Sequence, residues 1–359
     1  MGRPSQGRLD LCALRHNAGV ARQLAPHSKI MAVVKANAYG HGAVTIANAL
    51  QAQVDALAVA CIEEAMELRY AGISAPILLL EGCFEEQEVA QAAQLDLWIT
   101  IENERQLRWL EEARLPAPIS CWLKVDTGMS RMGVMPHLAP AYFQRLQATH
   151  NTRGEVVTYT HFASADDTRS QQTAQQIATF DALPFAGPRS AANSAGVLAW
   201  PNSHYDWVRP GYMLYGDSPM LESHDNARTL EPVMTLASAV ISLRDVAAGQ
   251  AVGYGGTWVA QRASRIATVA VGYGDGYPHK APNGTPVLVN GQRASLAGRV
   301  SMDMITVDVT DLSFIEQGSE VVLWGAGLPL AEVAHCANTI GYELITRMPA
   351  RTPRVVVRD

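Results

Sequence analysis

The sequence has no paired cysteines, no long apolar run and no excess of positive charge. Its five cysteines, an odd number, include no C-x-x-C pair, so a disulfide framework is not indicated. No apolar run reaches the roughly 18 residues of a membrane-spanning helix, and the first residues contain no apolar signal segment. The net charge of -6 gives no general electrostatic reason to bind nucleic acid. We therefore expect a cytoplasmic protein whose partner is a small molecule, with no metal site, membrane or nucleic acid.

The first two-thirds of the chain alternates short apolar segments with stretches of helical pattern. Eight apolar segments occur in the order "KIMAVV", "DALAVA", "PILLLEG", "LWITI", "CWLKVD", "VVTYTHF", "RSAANS" and "DWVRPG". Helical periodicity is clear in "CIEEAMELRYAG", where Ile62, Ala65 and Met66 share one face. Strand and helix alternating through eight strands predict an α/β fold, a parallel (β/α)8 barrel of the TIM type.

Near residue 230 the pattern changes to closely spaced strands. The apolar segments "VMTLASAVISL", "RIATVAVGYG", "TPVLVNG" and "MDMITVDV" follow at short intervals, and Asn-Gly pairs at 283–284 and 290–291 indicate tight turns. Only the stretch around "LAEVAHCANTI" has helical character. We predict a barrel domain over residues 1–229 and a mainly β domain over residues 230–359.

Lysine is rare in this chain, and two of its four lysines follow apolar strands. Lys35 and Lys124 stand at the carboxyl ends of the first and fifth predicted strands, while Lys29 and Lys280 do not. The simplest interpretation is a lysine whose ammonium group reaches the rim or pairs with a carboxylate. In a barrel, however, the carboxyl ends of the strands form the active site. The strand order brings further polar groups to the same mouth: the side chains of Arg131, His161, Asn193, Ser194 and Arg209, and the backbone amide of Gly211.

These residues predict a site for an aldehyde cofactor with a phosphate group. The Ser194 hydroxyl and the backbone amides near Gly211 follow strands 7 and 8, where barrels often hold phosphate. A desolvated lysine is neutral enough to form a Schiff base with an aldehyde. A lysine, a phosphate cradle and a partner for a ring nitrogen together indicate pyridoxal 5'-phosphate.

The ordered motifs resemble those of the bacterial alanine racemases. The motifs are "VVKANAYGHG", "KVDTGMSRMG", "THFASAD", "ANSAG", "VRPGYMLYG", "VGYGGTW", "VGYGDGY", "GRVSMDM" and "GYELITR", and they extend from about Leu9 to near the carboxyl terminus. The resemblance implies an isomerase that interconverts L-alanine and D-alanine with pyridoxal phosphate.

The resemblance also implies two bases on opposite faces of the substrate. Lys35 would carry the cofactor and act as one base, and Tyr254 from the partner subunit would act as the other. Two bases are needed because one base alone tends to return the proton to the face that it came from. This arrangement implies a head-to-tail homodimer. An ordinary tyrosine, with a pKa near 10, is a poor base at neutral pH. The resemblance therefore links Tyr254 to His161, and His161 to Arg209; without the motif, His161 could equally be a core histidine.

Further roles follow from the same resemblance. Arg209 would donate to the pyridine nitrogen, and an arginine cannot protonate it because its own pKa exceeds 12. The other cofactor-binding residues would be Tyr39, His161, Asn193, Ser194, Gly211, Tyr212 and Tyr342. Substrate contacts would come from Arg131, the Met302 amide, Asp303 and Tyr273. We predict that Lys124 is carbamylated and pairs with Arg131, the alternative being a salt-bridged lysine. Two departures from the motifs, Tyr212 beside the phosphate and His279 in the access corridor, bear on the shape of the entrance.

Three other functions fit part of the pattern. A racemase of broader specificity would also accept serine, because a small apolar pocket rejects an added hydroxyl by only roughly a hundredfold. A decarboxylase of the same fold would need a catalytic cysteine in the second domain, where the only cysteine is Cys336 in a helical stretch. A non-catalytic carrier of pyridoxal phosphate would lack the β domain. The sequence leaves open whether D-alanine is made for the cell wall or consumed for growth.

Overall fold

The protein, described over residues 2–359 by a computed structural model, divides into two units. The barrel unit comprises Leu14–Ala38 and Ala43–Glu231, and the β unit comprises the chain up to Ala13, Tyr39–Gly42 and Pro232–Asp359. The prediction that all of residues 1–229 form the barrel domain differs from this division. The amino-terminal stretch belongs to the β unit because its strand pairs within the β sheet.

The barrel unit contains eight parallel strands in a closed barrel, as predicted. The strands are Lys29–Val33, Ala56–Val59, Ile77–Leu79, Trp98–Ile101, Cys121–Lys124, Val157–Tyr159, Arg189–Ser190 and Trp207–Val208. Each of the eight apolar segments of the sequence contains one of them. The last two have only two residues each, which explains their mixed sequence signal.

Helices alternate with these strands. They are Leu11–Leu24, Ala43–Leu50, Ile62–Tyr70, Glu86–Gln94, Glu104–Glu112, Ala139–Ala148, Gln172–Asp181 and Ser194–Ala199, and short 3-10 turns occur at Pro201–Ser203, Tyr212–Tyr215 and Asp225–Ala227. Local sequence accounts for their starts. Asn103 caps Glu104–Glu112 by accepting a hydrogen bond from the Gln106 amide at 3.0 Å, and Glu63 and Glu64 stand in the positive first turn of Ile62–Tyr70.

Three tryptophans fill the inside of the barrel. The ring centroids of Trp122 and Trp207 lie 5.5 Å apart, and those of Trp98 and Trp207 lie 5.7 Å apart, although their strands are not neighbours. Strand residues two apart point to the same face, so Lys124 and Arg209 occupy the next layer toward the carboxyl ends. The tryptophans thus form an apolar floor beneath the charged residues at the mouth.

The β unit contains an eight-stranded sheet. Its strand order is Ser264–Val269, Ile305–Asp308, Gln292–Leu296, Pro286–Val289, Glu320–Trp324, Met234–Val246, Gln6–Asp10 and Arg354–Arg358, with an additional pairing between Ser264–Val269 and Met234–Val246. Asn290 and Gly291 both have positive φ and join two strands whose ends, Val289 and Gln292, are paired, as the Asn-Gly signal predicted. A separate two-stranded ribbon consists of Ala251–Val252 and Trp258–Val259.

Several elements of the β unit were not predicted, among them strand Glu320–Trp324 and the two-stranded ribbon. Gln6–Asp10 and Arg354–Arg358 pair in parallel, and Gln6–Asp10 also pairs with Met234–Val246. Helix Leu330–Cys336 lies where it was expected, but a second helix, Gly341–Thr346, follows it. Six residues are too few to show a helical period. Further 3-10 turns occur at Tyr254–Gly256 and Tyr273–Asp275. Within residues 2–359, no helix combines the length and apolar character that crossing a membrane requires.

The backbone after Lys35 turns with a left-handed twist. The φ angles of Ala36, Asn37, Ala38 and Tyr39 lie between 49° and 54°, a conformation that costs a residue with a side chain roughly 1–2 kcal/mol. The Asn37 side chain accepts a hydrogen bond from the Ala43 amide at 2.7 Å, which offsets part of this cost. In the β unit, Gly40 continues with φ 79°, and a Cβ atom there would lie 1.8 Å from the carbonyl oxygen of Ile345.

Gly40→Ala should destabilise the protein more than the matched variant Gly249→Ala. Both glycines have positive φ, but nothing lies within 4 Å of a Cβ atom at Gly249. We expect Gly249→Ala to cost about 1 kcal/mol of unfolding free energy, and Gly40→Ala to cost at least about 2 kcal/mol more through its backbone clash. Denaturant titration at a fixed cofactor concentration measures both values. Equal losses would show that the clash at Gly40 is relieved without cost.

Candidate active site

Lys35 follows the first barrel strand at its carboxyl end and is partly buried. Its neighbour in the chain, Ala36, donates a backbone hydrogen bond to Glu64 at 2.6 Å, and this fixes the turn in which the lysine sits. The positive charge of Lys35 contributes to lowering the pKa of both Lys124 and His161. Lys35 therefore belongs to the same charged cluster as these two residues.

Lys124 is a buried amine surrounded mainly by other cations. Only 7% of it is exposed, and burial, followed by the charges of Arg209 and Arg131, lowers its pKa to about 8. Its Nζ lies 5.6 Å from the centre of the Tyr159 ring. An opposing influence is the charge of Glu102, which raises the pKa of Lys124 but does not outweigh burial and the cations. Compared with an ordinary lysine, much more of this amine is neutral near pH 7.

Arg131 is carried by a loop that folds back on the fifth strand. One carboxylate oxygen of Asp126 accepts hydrogen bonds from the amides of Gly128, Met129 and Ser130 at 2.9–3.1 Å. The Val134 amide then donates to the Lys124 carbonyl at 2.9 Å and closes the loop. Arg131 is exposed on this loop, and its guanidinium makes no hydrogen bond within the described part of the chain. It is available to an anion.

Arg209 is a buried cation that is satisfied by neutral oxygen atoms. Its Nη1 donates to the Ser190 hydroxyl and its Nη2 to the carbonyls of Thr160 and Ala191, the latter two at 2.6 and 3.3 Å. Its carbon Cζ lies 4.9 Å from the centre of the Tyr159 ring. Burial lowers the pKa of Arg209 to about 10, so the group stays charged at neutral pH. Its Nε–H donates to no residue that the structure describes.

His161 lies at the same mouth and is neutral. Burial, and then the charges of Arg209, Arg131, Lys124 and Lys35, hold its pKa well below the usual value. Among residues 2–359, no hydrogen bond joins His161 to Arg209. The link that the structure shows between them is electrostatic, since the charge of Arg209 lowers the pKa of His161.

The carboxyl ends of the last two strands contain a hydrogen-bonded cradle. The Ser194 hydroxyl oxygen accepts from the amides of Gly211 and Met213 at 2.9 and 3.2 Å, so its own proton is free to donate to an anion. Asn193 accepts a hydrogen bond from the Gly196 amide at 2.9 Å and fixes the start of the short helix. The Tyr212 hydroxyl donates to Asp217 at 2.5 Å. This bond directs the ring of Tyr212, a residue that departs from the family motif, toward that carboxylate.

In the β unit, Tyr39 and Tyr342 lie side by side. Their ring centroids are 6.2 Å apart, and burial raises the pKa of Tyr39 to about 12. Tyr39 is therefore a neutral phenol that can donate a hydrogen bond to an anion. Arg354 organises the backbone around both tyrosines. It donates to the carbonyls of Gly40, Met348, Pro349 and Thr352 at 2.5–2.7 Å.

Tyr254 stands at the end of the two-stranded ribbon of the β unit. It is 72% exposed, and its hydroxyl makes no hydrogen bond to any residue among 2–359. The ribbon is anchored because Trp258 packs on a buried cluster that includes Val252 and Ile266. The side-chain amide of Asn283 also donates to the Thr257 carbonyl at 2.9 Å. An exposed phenol on an anchored support is suited to act on something outside its own unit.

Two turns of the β unit bring Tyr273, Met302 and Asp303 together. The Tyr273 amide donates to the Ser301 carbonyl at 3.0 Å, and the Gly274 amide donates to the Met302 carbonyl at 2.9 Å. Asp303 accepts a hydrogen bond from Arg351 at 2.6 Å. The Tyr273 ring meets His279 edge-on with centroids 5.4 Å apart. The predicted substrate residues of this domain therefore form one group, and His279 borders it.

Sequence reasoning missed several residues of these groups. Tyr159 lies beneath the charges of both Lys124 and Arg209, and its hydroxyl bonds to Thr100 and Leu80 at 3.0 and 2.9 Å. A signal for it existed, since Tyr159 and His161 are two apart in "VVTYTHF" and so share a strand face. Glu102, whose charge opposes the lowering of the Lys124 pKa, had no such signal.

The residues at the barrel mouth fit pyridoxal phosphate. An amine of the right kind stands at the end of the first strand. Among the described residues, 2–359, none accepts the proton of the Ser194 hydroxyl or the Nε–H of Arg209. The fold and these residues define a barrel enzyme that uses pyridoxal phosphate and has an added antiparallel β domain.

Comparison with known proteins identifies the family. The model for the N-terminal domain of alanine racemase matches residues 9–219, and the model for the C-terminal domain matches residues 233–356. An alanine racemase from Pseudomonas taetrolens is 50% identical over 354 residues, covering 98% of each chain. The crystal structure of the biosynthetic alanine racemase from Pseudomonas aeruginosa is 49% identical, with a TM-score of 0.94 and 99% of each chain covered.

The chain belongs to the alanine racemase family, and it is an isomerase whose cofactor is pyridoxal 5'-phosphate. The match spans both domains, so the decarboxylase and the non-catalytic carrier are not favoured. Curated relatives at this level of identity include a catabolic enzyme from Pseudomonas putida, at 50%, and a biosynthetic one from Pseudomonas aeruginosa, at 49%.

The buried amine of Lys124 should make stability depend on pH. Its pKa is about 8 in the folded chain and about 10.5 in an unfolded chain, so between these values the unfolded chain binds the proton and the folded chain does not. Stability therefore rises with pH in this window. The unfolding free energy of the wild type minus that of Lys124→Met should rise by up to about 3 kcal/mol from pH 8 to pH 10.5.

Denaturant titration in carbonate-free buffer measures this difference. Lys280→Met, at an exposed lysine, supplies the matched control. A difference between the wild type and Lys124→Met that stays constant across the window would contradict the lowered pKa.

Proposed function

We propose that this protein interconverts L-alanine and D-alanine by moving the α-proton between two faces of the substrate. Lys35 is the base on one face, and Tyr254 of the partner subunit is the base on the other. The observation that carries this proposal is the state of Tyr254, which is 72% exposed on an anchored ribbon and has an unbonded hydroxyl. Such an exposed phenol suits a site that a second chain completes.

The cofactor-binding residues are those that the family resemblance assigns. Bound pyridoxal phosphate withdraws electrons from the α-carbon of an amino acid and so acidifies its proton. Ser194, Gly211 and Tyr39 would bind the phosphate, and Asn193, Tyr212 and Tyr342 would be further contacts of the cofactor. The Nε–H of Arg209 would donate to the ring nitrogen. Because Arg209 keeps its charge and its protons, that nitrogen would stay unprotonated.

Proton transfer depends on the excess of positive charge at the barrel mouth. One base removes the α-proton, and the conjugate acid of the other returns a proton to the opposite face. The neutral imidazole of His161 accepts a hydrogen bond from the hydroxyl of Tyr254 of the partner subunit. The cations that keep His161 neutral also favour the phenolate form of a nearby tyrosine.

Substrate recognition relies on the carboxylate. Arg131, exposed on its loop and unpaired, and the Met302 amide orient it, while Tyr273 narrows the entrance. Alanine is the substrate that the family name implies, and serine is the expected secondary substrate because a small pocket rejects an added hydroxyl poorly. The cytoplasmic location expected from the sequence stays a prediction.

Exposed apolar groups of the β unit support a head-to-tail homodimer. Tyr254, Met302, Met304 and Tyr273 are 72%, 52%, 43% and 43% exposed. Clustered apolar side chains on a surface commonly mark a protein interface. A partner subunit covers them in the proposed dimer, and each β domain then supplies Tyr254 to the other chain's barrel.

Separate variants of the two bases test the mechanism. Lys35→Ala should abolish racemisation and the yellow colour that borohydride removes from the wild type. Tyr254→Phe should keep the colour and suppress mainly the reaction that draws the proton from L-alanine. Exchange of the α-proton with deuterated solvent, measured from each enantiomer, distinguishes the two faces. Equal loss of exchange from both enantiomers in Tyr254→Phe would argue against two bases.

Mixing the variants tests the shared site. When Lys35→Ala and Tyr254→Phe chains are mixed equally and reassociate at random, half of the dimers contain both chains. Each mixed dimer then has one site with both wild-type bases, so about a quarter of wild-type activity should return. Activity that stays at the level of the separate variants would mean that each site draws on one chain.

Lys124 is proposed to be carbamylated. Its lowered pKa leaves part of the amine neutral, and a neutral amine adds to carbon dioxide. The new N–C bond converts the amine to a carbamate anion as one proton leaves to solvent. The anion would relieve the repulsion among Lys124, Arg131 and Arg209, and it would pair with the guanidinium of Arg131.

Carbon-13 NMR tests this modification. With labelled bicarbonate, the wild type should give a carbamate signal that Lys124→Met lacks and that Lys280→Met retains. Activity should fall when carbon dioxide is removed and return when it is restored. The same spectrum from the wild type and Lys124→Met would mean that Lys124 carries a bare amine.

A further inference from the structure

The β unit contains one carboxylate that is completely buried. Asp275 is 0% exposed and lies in the turn that carries Tyr273. Arg3 donates to it from two nitrogens, at 3.1 and 2.7 Å, and Arg351 donates to it at 2.9 Å. The Gly272 amide donates at 2.9 Å. A buried charge is costly unless it is paired and hydrogen-bonded, and these bonds meet that need.

Both arginines also reach a second carboxylate. Arg351 donates from its Nη2 to the side chain of Asp303 at 2.6 Å, and Arg3 donates to the Asp303 backbone carbonyl. The cluster therefore contains two carboxylates and two guanidinium groups, with no net charge. Asp275 holds both arginines from inside the unit. Arg351 bonds Asp275 through its Nε, which leaves its Nη2 to bond Asp303.

Close backbone packing couples this cluster to the substrate group. A Cβ atom on Gly272 would lie 2.3 Å from the Ser301 carbonyl oxygen, and one on Gly274 would lie 3.0 Å from that of Met302. The Tyr273 turn and the turn of Met302 and Asp303 are thus held against each other. A change in the charge of Asp303 would change the electrostatic potential at the neighbouring Met302 amide.

We infer that Arg351 is a positioning residue that neutralises Asp303, so that an anionic carboxylate can approach the Met302 amide without repulsion. This inference rests on the proposed function, in which that amide orients the substrate carboxylate. An isolated exposed ion pair contributes little. Here Asp275 fixes Arg351 in place, so the pair keeps its geometry, and its loss leaves an uncompensated negative charge at the point where an anion binds.

Removal and restoration of the charge balance test the inference. In the holoenzyme, Arg351→Gln should raise KM for alanine about tenfold while kcat changes less than about threefold. Asp303→Asn is the reference variant, and adding Arg351→Gln to it should change KM by less than about threefold, because the carboxylate that Arg351 neutralises is already absent. Arg351→Lys, which keeps the charge, should show a smaller increase. The tenfold effect should shrink as ionic strength rises.

Acetate binding gives a second measurement that needs no turnover. Acetate is a carboxylate without an α-proton to exchange, and its dissociation constant, followed through the cofactor absorbance, should rise about tenfold in Arg351→Gln and recover in the double variant. Unchanged KM and acetate affinity in Arg351→Gln would overturn the inference. So would a loss that Asp303→Asn does not restore, because that pattern describes a purely structural arginine.

These results separate the inference from the proposed function. If the wild type racemises alanine and Arg351→Gln binds acetate normally, the inference fails while the function stands. If the wild type does not racemise alanine but acetate binding follows the predicted pattern, the charge balance stands and the proposed function fails.

Discussion

The guanidinium of Arg209 is buried at the barrel mouth without a carboxylate beside it. Neutral oxygens from neighbouring strands and the face of Tyr159 hold it there. Because no carboxylate cancels its positive charge, this charge shifts the pKa of neighbouring titratable groups. It helps to keep His161 neutral and to lower the pKa of Lys124. The same field attracts anions, and both a phosphate and an amino-acid carboxylate are anions. The chemistry proposed for this mouth follows from burial together with this uncompensated cation and its neighbours Arg131 and Lys35.

The β unit treats charge in the opposite way. Its buried charge is a carboxylate, Asp275, and two arginines neutralise it completely. Arg354 is a third arginine with a structural task, since it bonds only to backbone carbonyls around Tyr39 and Tyr342. Balanced charge stabilises geometry, whereas unbalanced charge shifts protonation. The unit that supplies positioning groups uses the first arrangement, and the unit that supplies the amine uses the second.

The left-handed backbone after Lys35 is an unfavourable conformation next to the candidate site. Non-glycine residues in this conformation are unfavourable, and such strain persists only where surrounding structure enforces it. Asn37 and Glu64 provide hydrogen bonds to the segment on the barrel side. The close contact of Gly40 with Ile345 constrains its continuation in the β unit. A sequence of small residues, "KANAYG", is compatible with this path because it avoids branched side chains.

Local sequence determined the eight barrel strands, the Asn-Gly hairpin and the position of Lys35, because apolar periodicity and turn chemistry act over a few residues. The family motifs supplied the remaining candidate site residues, and their roles stay predictions. Only the tertiary structure decided the rest. Arg3 and Asp275 are separated by 272 residues, and no local pattern pairs them. The hydrogen bonds of Arg209 likewise depended on which acceptors the folded barrel brought nearest. Burial and the sum of neighbouring charges set protonation, and both exist only once distant segments of the chain have packed together.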